Sequence, residues 1–73
     1  MRKPLGAQMI PGANLVIIRQ ESLEKLKLLV LLPAQVDYLR TQYVQTVEDP
    51  KRKTKEFVFR ETAEVKKLLG MAP

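Results

Sequence analysis

The 73-residue sequence contains no cysteine, no histidine and no tryptophan. Without cysteine there is no disulfide and no thiolate zinc site, so nothing covalent or metallic can compensate for a small core. The loss of histidine as well removes the commonest general base together with the commonest nucleophile. Glycine stands only at 6, 12 and 70, too few and too scattered for a phosphate-cradling loop. The eight carboxylates, at 21, 24, 37, 48, 49, 56, 61 and 64, show no group of three or four on one surface that would build an oxygen-ligand metal site. These absences predict a protein that is not an enzyme and that takes no metal, cofactor or small-molecule substrate. Long apolar runs are missing too. The longest, Leu28 to Ala34, falls far short of the roughly 20 residues needed to span a bilayer. Met1-Arg2-Lys3 leads into Pro4 and Gly6 in place of the apolar run of a signal peptide. The expectation is a soluble, cytoplasmic protein.

What is present is aliphatic and basic. Twenty-one residues are Leu, Ile or Val against four aromatics, enough apolar side chains to fold one domain. A chain of this length buries only about 60% of the surface its unfolded form exposes, which predicts modest stability. Thirteen Lys and Arg against eight Asp and Glu leave a net charge of +5. That excess favours an acidic partner, either nucleic acid or an acidic protein face.

Along the chain, Pro4, Gly6, Pro11 and Gly12 mark residues 1–13 as an irregular basic arm. The remainder, 14–73, reads as a single compact α+β domain with a small antiparallel sheet and two or three helices. Leu15-Val16-Ile17-Ile18 is a β-branched run of strand length. Residues 23–32 fit a helix capped by Ser22, with Leu23, Leu26 and Val30 on one face, and also fit a strand; helix is favoured. Pro33 suits the first position of a helix running from Ala34 to Glu48, on which Val36, Leu39, Tyr43, Val44 and Val47 recur at helical spacing. Lys51 to Lys55 follows as an exposed basic loop, then a short aromatic strand with Phe57 and Phe59 on one face and Val58 on the other. A last helix has Thr62 at its start, Glu61 and Glu64 early, Lys66 and Lys67 late, and Gly70 as its stop. That charge order matches the helix dipole.

The candidate partner-binding residues are the loop cations Lys51, Arg52, Lys53 and Lys55, the adjoining Phe57 and Arg60, and Arg2 and Lys3 of the arm. Four cations within five residues can contact several phosphates or dock on an acidic protein groove. A charged loop is also what any solvated hairpin presents. Phe57 and Phe59 are open between core and contact surface, with core favoured because aromatics are scarce here. Phe57-Val58-Phe59 resembles the aromatic strand of an RNA-recognition motif but lacks the glycines of that signature.

Two family resemblances follow from these features. The short, cysteine-free, basic chain with its arm, small mixed fold and charged hairpin resembles the regulators that bacteriophages encode to bind host RNA polymerase. That resemblance implies a non-catalytic protein of the host cytoplasm that alters transcription through protein-protein contacts with bacterial RNA polymerase. Residues 61–73, with the Val65/Leu68/Leu69 face and Gly70, resemble the first helix and turn of a helix-turn-helix whose recognition helix would begin where the sequence stops. That resemblance implies a winged-helix or excisionase-type DNA binder with Lys51–Lys55 as its wing. With no recognition helix after Gly70, any nucleic-acid binding is expected to be weak and non-specific. A structural subunit of a ribonucleoprotein assembly is a third alternative.

Overall fold

The computed structural model describes residues 7–71. Seven elements follow in the order β1 (Gln8–Ile10), β2 (Leu15–Arg19), α1 (Gln20–Leu29), α2 (Pro33–Gln42), β3 (Tyr43–Asp49), β4 (Thr54–Arg60) and α3 (Ala63–Leu68). The four strands form one antiparallel sheet ordered β1-β2-β4-β3, so the fold is α+β as the composition and patterning predict.

Sheet alternation determines which residues meet the helices. Val16 stands opposite Phe59 and Ile18 opposite Phe57, so these four share one face. Val16, Ile18 and Phe59 join Leu23 and Leu26 of α1, Leu39 of α2 and Val65 and Leu68 of α3 in a single buried cluster. All three helices therefore lie on that face. Phe59 is 4% exposed and belongs to the core. Phe57 is half-buried and packs against the cluster from its margin.

The structure corrects three expectations. Residues 8–10 are not part of an irregular arm. Met9 pairs with Val16 and Ile10 with Leu15, and the turn between them is made possible by positive φ at Gly12 (74°) and Asn14 (56°). Helix α1 begins at Gln20, two residues before the Ser22 cap, with Arg19 as N-cap and no side-chain cap bond. The largest correction is the helix expected from Ala34 to Glu48, which stops at Gln42. Residues 43–49 form β3 instead, pairing with β4 through a bulge between Tyr43 and Gln45. Tyr43, Val44, Thr46 and Val47 are aromatic or β-branched, types that suit a pleated surface better than a helix. Glu48-Asp49-Pro50 thus ends a strand.

The two helices that flank these corrections are held as their sequences suggest. Pro33 occupies the first position of α2, and the Gln35 side chain accepts a hydrogen bond from the Leu32 amide at 2.8 Å. Thr62 is the N-cap of α3, its Oγ1 accepting from the Val65 amide at 3.0 Å. The same helix ends in a Schellman motif: the Gly70 amide donates to the Lys67 carbonyl (3.1 Å), and the Met71 amide to that of Lys66 (2.8 Å). Gly70, at φ 76°, supplies the left-handed residue this motif requires.

Candidate functional site

Four surfaces carry features beyond packing. The first is the β3–β4 hairpin tip, which holds most of the cations singled out from sequence. Asp49 organises it, its Oδ1 accepting from the amides of Lys51 (3.0 Å) and Arg52 (3.4 Å) in the manner of an Asx turn. Lys53 takes φ 56° to re-enter β4. Two of the four cations have carboxylate neighbours, Arg52 with Asp49 (3.7 Å) and Lys55 with its cross-strand partner Glu48 (3.5 Å). Lys51 and Lys53 make no salt bridge among the described residues, so the tip keeps a net positive charge.

The structure separates the remaining predicted residues from this tip. Arg60 closes the far end of β4, roughly 20 Å along the strand from Thr54 at about 3.3 Å per residue. It also lies on the opposite face from Phe57, in the row of Leu15. Phe57 looks toward the helices. Lys51, Arg52, Lys53 and Lys55 therefore form one group, Phe57 follows Lys55 in the same row of β4 but is half-buried against the helices, and Arg60 belongs to a different surface. Arg2 and Lys3 lie outside the described residues.

The second surface was not singled out from sequence. Leu28, Leu29, Val30 and Leu32 are 82%, 80%, 64% and 63% exposed. They occupy the last turn of α1 and the three-residue connection to α2, whose other member, Leu31, is buried. Helix α1 turns Leu23 and Leu26 inward, and the 3.6-residue period then places Leu28 on the opposite side, whereas Leu29, three residues after Leu26, stays exposed because it ends the helix beyond the packed turns. The sequence signal was the unbroken Leu28–Leu32 run, which exceeds what one helical face can bury.

The third surface is a groove of about 190 Å³ bounded by α1, α2 and the hairpin strands. Its floor is Leu23, Val36, Leu39, Phe57 and Phe59, with Tyr43 as a wall and Lys27 and Arg40 at the rim. Tyr43 meets Phe57 and Phe59 edge-on, with ring centroids 6.5 and 6.1 Å apart, and its hydroxyl is bonded to Thr46 Oγ1 (2.6 Å). The ring is held in place by these contacts. No carboxylate lines this groove.

The fourth is the sheet face away from the helices, carrying Leu15, Ile17 and Val58 with Arg19 and Arg60 toward its ends. Val58 is 2% exposed there. Among the described residues no group of three or more His, Cys, Asp or Glu could hold a metal ion, and no helix is long and apolar enough to cross a membrane. Comparison with protein-family models, curated proteins and solved structures gives no match to this chain.

Proposed function

We propose that this chain is a non-enzymatic protein-binding module that regulates transcription, with bacterial RNA polymerase as its partner. The observation that carries the protein-binding reading is the exposed aliphatic patch of Leu28, Leu29, Val30 and Leu32. Isolated exposed leucines are ordinary, but four within five residues at a helix end mark a surface that gains by being covered. Burial against a partner stabilises by about 25 cal/mol per Å² of apolar area, before the costs of association. The basic hairpin tip adds attraction toward an acidic face, which acts more on encounter rate than on final affinity. The choice of RNA polymerase rests on the chain's resemblance in size and organisation to phage-encoded polymerase regulators.

A second reading is favoured by the order of elements. Helices α1 and α2, joined by three residues and followed by a hairpin with a cationic tip, have the succession of a helix-turn-helix with a wing. Its two helices would be α1 and α2 rather than the 61–73 segment that carries the resemblance in sequence, and α2 would enter the major groove. Against that use, the exposed positions of α2 include one cation, Arg40, and one carboxylate, Asp37, and its leading end adjoins the aliphatic patch. Neither feature suits a phosphate-lined groove.

A capture experiment distinguishes the two. Immobilised wild-type chain and the variant Leu28→Ser/Leu29→Ser/Leu32→Ser are exposed to bacterial lysate with and without nuclease treatment. The proposal expects polymerase subunits on the wild type and their loss on the variant. Retention that vanishes on nuclease treatment would transfer the assignment to a nucleic-acid binder.

A further inference from the structure

We infer that the groove between α1, α2 and the hairpin receives an acidic amphipathic helix of the partner, one bulky apolar side chain seated on Phe57 and its carboxylates against Lys27 and Arg40. This inference rests on the protein-binding reading and adds a distinct site to it.

Three observations converge on that occupant. The floor of Val36, Leu39, Phe57 and Phe59 is apolar, so what enters must be apolar too. At about 190 Å³ the space is smaller than the roughly 300 Å³ at which pockets begin to enclose small molecules, so it suits an anchor side chain projecting from a larger partner. The rim chemistry then selects the sign of the flanking groups. Lys27 and Arg40 are the charged residues lining the groove, and both are cationic. Lys27 is 3.8 Å from Glu24, an exposed pair that leaves donors free, and Arg40 makes no salt bridge among the described residues. Arg40 offers a fork of five N–H donors to a carboxylate. An amphipathic helix presents apolar anchors on one face and acidic residues beside them, which fits an apolar floor with a cationic rim. The edge-on ring packing of Tyr43 makes the floor preformed, which reduces the ordering cost of binding.

Peptides of about three helical turns test this directly. One carries leucine anchors flanked by Glu, a second the same anchors flanked by Lys, and a third the Glu flanks with alanine in place of leucine. Each is titrated into the isotope-labelled full chain and followed by amide chemical-shift changes. The Glu-flanked leucine peptide should shift Lys27, Val36, Arg40, Tyr43 and Phe57 as one saturable group. The Lys-flanked peptide should bind about fivefold more weakly, near the limit for an exposed charge pair, and the alanine peptide should give no saturable shifts. Arg40→Glu, which leaves the rim with Lys27 against one carboxylate, should abolish the preference between Glu and Lys flanks, while Arg40→Gln should only reduce it. Arg40 is exposed, so both variants should fold, and their unchanged spectra away from the groove would show it. Equal binding of Glu- and Lys-flanked peptides, or shifts confined to residues 28–32 or 51–55, would overturn the assignment. If Arg40→Glu leaves polymerase capture intact while the leucine-patch variant abolishes it, the groove assignment falls and the protein-binding reading stands.

Discussion

Individual side chains in this protein divide sharply between those that hold the fold and those free to contact something else. Phe59 is of the first kind, 4% exposed and packed with Val16 and Ile18 beneath the helices. Phe59→Ala should lower stability by about 3 to 5 kcal/mol through lost burial and the cavity left behind. For a chain this small that is a large share of the total, so thermal or urea unfolding of the variant should show a collapsed or absent transition. Retention of the wild-type midpoint would contradict the core assignment. Thr62 has two roles, capping α3 through the Val65 amide and bonding the Tyr38 hydroxyl of α2 at 3.0 Å. Thr62→Val removes both bonds with little change of shape. It should cost about 1 to 2 kcal/mol, measured by denaturant titration, and a neutral result would show that neither bond matters to stability. Leu28, by contrast, is 82% exposed. Leu28→Ser should leave the unfolding midpoint unchanged.

At the level of elements, the hairpin tip should be separable from the fold. Lys51, Arg52 and Lys53 sit in an exposed turn and Lys55 at the adjoining start of β4, where the ion pairs are solvated and contribute little to stability. Replacing all four with Ala should leave the thermal midpoint nearly unchanged while weakening partner binding, most visibly at low salt where attraction to an acidic face is least screened. Unchanged affinity at every salt concentration would remove the tip from the interface. The elements also differ in how far the sequence determined them. Helix α3 was legible because its signals are local: Thr62 as cap, Glu64 early, Lys66 and Lys67 late, Gly70 as stop. Strand β4 was legible from its alternation only around Phe57 to Phe59; Thr54 and Lys55, read as part of the basic loop, belong to the strand because they pair with Asp49 and Glu48. Strand β3 was not, because Val36, Leu39, Tyr43, Val44 and Val47 keep helical spacing across an actual helix-to-strand junction. What decides there is tertiary, the pairing of Thr46 with Phe57 and Val47 with Glu56 across the sheet. The aliphatic patch escaped for a similar reason. Composition shows that Leu28 to Leu32 are apolar, but only packing decides that Leu31 goes in and its neighbours stay out.

For the whole molecule, charge and exposed apolar surface make different demands on a partner. A net charge of +5 attracts any polyanion, and the isolated chain should bind duplex DNA weakly, without sequence preference, and release it as salt rises because that attraction arises from counterion release. The aliphatic patch draws nothing from phosphates and requires an apolar counterpart. The central claim is therefore tested most directly by one binding titration, run at physiological salt, of purified bacterial RNA polymerase and of duplex DNA against the labelled full chain and its Leu28→Ser/Leu29→Ser/Leu32→Ser variant. The account predicts saturable binding of polymerase by the wild type, its loss in the variant, and no stable DNA complex with either. Tight binding of one DNA sequence, unaffected by the leucine substitutions and with no polymerase complex, would contradict it and assign the chain to the winged DNA binders.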